Sequence, residues 1–121
     1  CSGMVDRVYW WRMVARGFGL VDDSDPVHWR KRPAYNVLKQ FVTTVRDASF
    51  VEKPATDTDS HLFNFNLPDG KRICVAYSTA GERRITPPFE CSRVSAADGT
   101  AMTVSADDIR ITGRPVYIFS R

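Results

Sequence analysis

The chain has 121 residues, of which 43% are hydrophobic and 26% charged, with a net charge of +3. These values fit one globular domain and exclude an intrinsically disordered chain. No apolar run approaches the ~20 residues of a membrane-crossing helix, and a balance this close to neutral gives no electrostatic case for a nucleic-acid partner.

Residues 5–14, Val-Asp-Arg-Val-Tyr-Trp-Trp-Arg-Met-Val, are dense in β-branched and aromatic types and read as a strand. Apolar residues fall on both of its faces, as in strands covered on both sides. Ala15-Arg16-Gly17-Phe18-Gly19-Leu20-Val21 and Asp22-Asp23-Ser24-Asp25-Pro26 then read as one long loop. Pro33 suits a first helical position, where its missing N–H is no loss. Ala34, Val37, Leu38, Phe41, Val42 and Val45 recur at helical spacing, so a helix is expected over 33–46. Asn36, Lys39, Gln40 and Thr43 form its wet face, and no Ser, Thr or Asp directly precedes Pro33 to cap it.

Beyond the helix the period changes to two. Leu62, Asn64 and Asn66 alternate with Phe63, Phe65 and Leu67. Pro68-Asp69-Gly70 makes a turn, and Ile73, Val75 and Tyr77 continue on a return strand. Further short strands are expected near 49–53, 84–92, 100–104, 107–112 and 115–120, separated by turns such as Ala97-Asp98-Gly99. The expected fold class is α+β, mainly β: a strand-loop-helix unit followed by an antiparallel β-sandwich or open barrel. The division falls into 1–46, a βα unit that cannot cover both faces of its own strand, and 47–121, an antiparallel β-domain.

Three cysteines, Cys1, Cys74 and Cys91, lack metal-ligand spacing. Cys74 reads as a small buried hydrophobe, and a Cys74–Cys91 bridge is conceivable only in an exported chain. A first-position Cys is also the lipid-bearing residue of processed bacterial lipoproteins. Those carry a flexible tether next, whereas Val8-Tyr9-Trp10-Trp11 follows here, so a truncated chain is the expectation. No signal peptide is recognisable, and the sequence assigns no cellular compartment.

Val5-Asp6-Arg7-Val8-Tyr9-Trp10-Trp11, Gly17-Phe18-Gly19-Leu20-Val21-Asp22 and Arg32-Pro33-Ala34-Tyr35-Asn36-Val37-Leu38 together resemble the last βα unit of a (β/α)8-barrel glycoside hydrolase. The Pro-Asp-Gly-Lys hairpin, the Ala-Asp-Gly-Thr turn and the segment Arg114-Pro115-Val116-Tyr117-Ile118 resemble the terminal β-domain of such enzymes, so the likeness spans nearly the whole chain. The resemblance implies a carbohydrate partner reached through a parent enzyme. The two catalytic carboxylates of these hydrolases lie on earlier barrel strands and match no residue here. The chain alone is therefore expected to be inactive, with no catalytic residue, cofactor or metal. An aromatic near the end of the eighth strand stacks under a sugar in the family, and Trp10 or Trp11 matches it. Alternation sends neighbours to opposite faces, and Trp11 is preferred for the interior. Tyr9, Trp10, Trp11 and Arg12 are the candidate substrate-binding residues.

Each candidate also has a plainer reading. Tyr9, Trp10 and Trp11 suit a core equally well. Arg12 and Arg16 suit sugar hydroxyls or an acidic sugar, or simple solvation. Asp22, Asp23 and Asp25 lack the Gly and distal Glu of a calcium loop. His28, Arg30, Lys31, Arg32 and Lys39, with Trp29 and Tyr35, form a short basic-aromatic stretch at a helix start, where the dipole disfavours cations. Ser60, His61 and Asp57 or Asp59 have triad residue types, but adjacent strand residues point apart. A free-standing carbohydrate-binding module is the second reading, with Phe63, Phe65, Tyr77 and Phe89 as its platform candidates. A plain interaction domain is the third. Unpaired strand edges lead to an expected homo-oligomer.

Overall fold

The computed structural model describes residues 12–16, 19–104 and 108–121. The expected first strand lies mostly outside them. Of its described residues, Val14 makes an isolated parallel bridge to Val21. The long loop expected after it is partly ordered into a ribbon, β1 (Val21–Asp22) paired antiparallel with β2 (Arg30–Lys31). Gly19 makes this possible. Its N–H donates to the Ala15 carbonyl at 3.1 Å, and a β-carbon there would stand 2.4 Å from the Ala15 nitrogen. Two-residue strands are too short to leave a periodicity in the sequence.

Helix α1 spans Pro33–Val45, with Pro at its start and Arg32 at the N-cap making no side-chain cap. Three of its residues depart from the expected faces, and the first, Ala34, is exposed. Val42 is 50% exposed. Gln40 is half-buried, its Nε2 donating to Thr44 Oγ1 at 3.0 Å. Val42 stands at the margin of the apolar stripe, while Gln40 meets the β-domain.

The β-domain is built on one six-stranded antiparallel sheet in the order β3-β4-β5-β10-β7-β8. Its strands are β3 (Ser49–Glu52), β4 (Ser60–Asn66), β5 (Arg72–Ser78), β7 (Cys91–Ala96), β8 (Ala101–Met102) and β10 (Val116–Ser120). A second sheet pairs β6 (Arg83–Ile85) with β9 (Ile109–Ile111). The strand expected over 84–92 is thus two strands in different sheets. Pro87 and Pro88 lie between them and have no N–H to continue a ladder. The expected hairpin is present in register, with Phe63 opposite Val75 and Phe65 opposite Ile73, and Gly70 closes its turn at φ 82°.

Alternation along the central strands supplies two cores. Leu62, Cys74, Ala76, Val94, Val116 and Ile118 face one way and meet Ile85, Ile109 and Ile111 of the small sheet. Phe65, Ile73, Val75 and Tyr117 face the other way, toward Phe41 and Val45 of α1. The result is a helix, a six-stranded sheet and a two-stranded sheet in three layers. It is mainly β and α+β, a sandwich that does not close into a barrel.

Cys74 is fully buried, and burial pushes its thiol up to about 12. Cys91 is half-buried, and both are free thiols. The bridge considered from the sequence is therefore not formed.

Candidate functional site

Tyr9, Trp10 and Trp11 lie outside the described residues. Arg12 and Arg16 are exposed. The acidic loop that follows holds itself together. Asp22 accepts the backbone N–H of Ser24 at 3.0 Å and its hydroxyl, and pairs with Arg32 at 3.1 Å. The Ser24 hydroxyl and N–H hold the Asp22 carboxyl below its usual range. Asp25 accepts the N–H groups of Val27 and His28 at 2.9 and 3.1 Å and meets His28 Nδ1 at 3.0 Å. Those bonds lower its carboxyl too, the Val27 N–H most. Among the described residues no three metal-ligating side chains come together.

Ser60 and His61 do not form a nucleophilic pair. Ser60 is 4% exposed on the small-sheet face, and its N–H donates to Asp57 Oδ1 at 2.6 Å. His61 lies on the α1 face, its ring 4.9 Å from that of Tyr77. The two side chains point apart, as strand alternation requires.

The four β-domain aromatics divide. Phe65 and Phe89 are core residues, 4% and 8% exposed, on opposite faces of the sheet. Phe63 and Tyr77 are half-buried, with nearly parallel rings 13° apart in plane and centroids at 6.3 Å. His61 adds a tilted ring beside Tyr77, and Lys53 Nζ lies 5.6 Å from the Phe63 centroid. The row Lys53-Phe63-Tyr77-His61 is thus assembled from three neighbouring stretches of chain. Sequence reading missed His61 and Lys53 as its members. The signal available was cross-strand: His61 stands directly opposite Tyr77 in register.

This row borders two hollows of different chemistry. One is a groove of about 540 Å³ between α1 and the sheet, lined by Leu20, Leu38, Phe41, Phe63, Tyr77 and Tyr117 among others. Its walls are almost wholly apolar, so a sugar hydroxyl entering it would lose water without gaining a partner. The other is a depression of about 300 Å³ lined by Lys53, Thr56, Asp57, Thr58 and His61 among others, which does offer polar partners. The groove exists because α1 is held off the sheet: none of its 13 residues is fully buried.

The basic stretch at the helix start is distributed between two sides of the chain. Arg32 pairs with Asp22, while Lys31 places its ammonium 5.0 Å from the centre of the Tyr35 ring. Trp29 and Val27 are 62% and 77% exposed.

The chain matches no known protein-family model, no curated protein and no solved structure.

Proposed function

We propose that this chain is the C-terminal part of a glycoside hydrolase, closing a (β/α)8 barrel and bracing it with a β-domain. The observation that supports this reading is α1. Its sequence carries a strong apolar stripe, yet no residue of it is fully buried, and Val42 and Met13 are 50% and 52% exposed. A helix of that pattern normally covers a core, and in a barrel the neighbouring βα units would supply it. Trp11, or its neighbour Trp10, would present the aromatic platform to a sugar, with Tyr9 and Arg12 beside it. The catalytic carboxylates would belong to earlier strands, so the isolated chain would bind weakly and hydrolyse nothing. Its uncovered apolar surface would favour self-association.

The test compares this chain with the protein translated from the complete open reading frame, against a panel of oligosaccharides. Hydrolysis by the longer protein and none by this chain is the expected result. No hydrolysis and no saccharide binding by either protein would remove the carbohydrate reading.

A second reading, a free-standing carbohydrate-binding module, draws on the near-parallel rings of Phe63 and Tyr77 beside a polar depression. It predicts saturable binding by this chain that is lost on removing either ring.

A further inference from the structure

We propose that the groove between α1 and the six-stranded sheet is a binding site for an aliphatic molecule with one neutral oxygen, a medium-chain alcohol. The proposal stands apart from the carbohydrate reading, because helix and sheet both belong to this chain.

The groove follows from how α1 is seated. Phe41 and Val45 pack on the core of Phe65, Ile73, Val75 and Tyr117. Val37 and Leu38, one turn earlier, join neither core. The helix is thus closed on the sheet at its C-terminal half and stands off it at its N-terminal half, leaving about 540 Å³. That volume and the apolar walls are those of a small-molecule site. Leu20 adds a further wall. It is 2% exposed, and its carbonyl accepts the Arg32 N–H at 2.9 Å, which ties the loop to the helix start.

Two features select the ligand. None of the described residues that line the groove is charged. An ionised head inside it would lose water and meet no counter-charge, and a polyol would lose water at several hydroxyls at once. The second feature is Tyr117, which lines the groove from β10 and is 1% exposed. Its hydroxyl makes no hydrogen bond among the described residues, and burial alone raises it above its ordinary value. A buried hydroxyl without a partner is costly. The Tyr117 oxygen is not sealed within the core, so a ligand atom in the groove can reach it. An alcohol supplies that one partner and gives the rest of its length to apolar walls.

The experiment titrates the full chain with 1-octanol by isothermal calorimetry, with 1-hexanol and octanoate beside it. Octanol is expected to bind more tightly than hexanol, by about fourfold for each added methylene, and more tightly than octanoate. Tyr117→Phe removes only the hydroxyl. It is expected to weaken octanol binding by about two- to tenfold and to leave the melting temperature no lower, since the free chain loses no hydrogen bond. Leu38→Trp fills the groove and is expected to abolish binding. A thermal melt checks that it folds, and Ala34→Leu, at an exposed helical position, is a milder filling that keeps the test open if it does not. Absence of octanol binding by the unmodified chain, or tighter binding of octanoate, overturns the proposal. So does octanol binding that keeps its full strength in Tyr117→Phe or in the filled variants. A dimer that octanol dissociates, seen by light scattering, would give the groove to a second copy of the chain and overturn it as well.

Discussion

Gln40 of α1 lies directly against Gly99, the turn residue between β7 and β8. A β-carbon on Gly99 would stand 2.7 Å from both Cδ and Oε1 of Gln40, and Gly99 sits at φ 90°. The helix and the β-domain therefore meet at a point where a side chain on residue 99 would have to displace the Gln40 amide. Gly99→Ala is expected to cost about 1–2 kcal/mol for left-handed backbone, plus a smaller cost for turning the Gln40 amide away from Thr44. Gly70, at φ 82° with nothing within 4 Å of a β-carbon, meets only the first of these penalties. Urea denaturation of Gly99→Ala, Gly70→Ala and Gly99→Ala/Gln40→Ala checks this. The double variant should recover part of the loss, and equal losses at Gly70 and Gly99 would contradict the contact.

Burial separates the two sides of the molecule. Ile118 is 0% exposed between β5 and β7, and Ile118→Ala is expected to lose about 2–5 kcal/mol, transfer and cavity together. Val42→Lys should change stability by less than about 0.5 kcal/mol in this chain, since Val42 is 50% exposed. If the chain closes a barrel as proposed, the same change should be costly in the longer protein, where barrel elements would cover that side of α1. Differential scanning calorimetry of the two proteins reads this contrast directly.

Much of the fold was legible because the periodicities are strong. The stripe Ala34, Val37, Leu38, Phe41, Val42, Val45 and the alternation over 62–67 announce a helix and a strand, and of the stripe only Ala34 and Val42 are left exposed. What could not be read is non-local. That Ile85 and Cys91 belong to different sheets depends on where β9 and β10 lie, and only the proline pair between them hints at a break. The aromatic row is likewise a matter of register, since His61 joins Tyr77 across strands 16 positions apart in sequence. Gln40 looks like a surface residue until the Gly99 turn is brought to it. The candidates Tyr9, Trp10 and Trp11 rest on resemblance, and the described residues do not reach them.

Acid should loosen particular turns first. Asp57 is held below its ordinary value of 3.8 by the Ser60 side chain and N–H, and Asp98 below the same value by the Thr100 N–H and side chain. A carboxyl lowered in the folded state stabilises fully above its unfolded value and loses that contribution as pH falls through the folded one. The melting temperature should therefore hold steady from neutral pH to about 5 and decline below about 4. Asp57→Asn should lower it at neutral pH and flatten the acid decline. A variant that melts in parallel with the unmodified chain at every pH would remove Asp57 from this account.

The two described thiols should differ in reactivity. Cys74 is 0% exposed with its thiol pushed up to about 12, so little thiolate forms and none is reachable. Cys91 is half-buried at the end of β7, its thiol donating to the Arg93 carbonyl at 3.4 Å and raised by burial to a lesser degree. Iodoacetamide followed by peptide mass mapping should mark Cys91 before Cys74 in the folded chain and both together in urea. Early labelling at Cys74 would mean that the sheet opens between β4 and β10.

The row of Phe63 and Tyr77 decides between the two carbohydrate readings. Its rings stack on each other and border a groove whose walls offer almost no hydrogen bonds. On the barrel-closing reading both residues serve packing. Tyr77→Ala should destabilise the chain by about 2–4 kcal/mol, since a large aromatic leaves a cavity even when half-buried. Saccharide binding should match that of the unmodified chain, measured below the unfolding transition. Tyr77→Phe keeps the ring and should restore stability without touching binding. Loss of saccharide binding in Tyr77→Ala at preserved stability would instead mean that the β-domain recognises sugars by itself, and that α1 owes its exposure to some other partner.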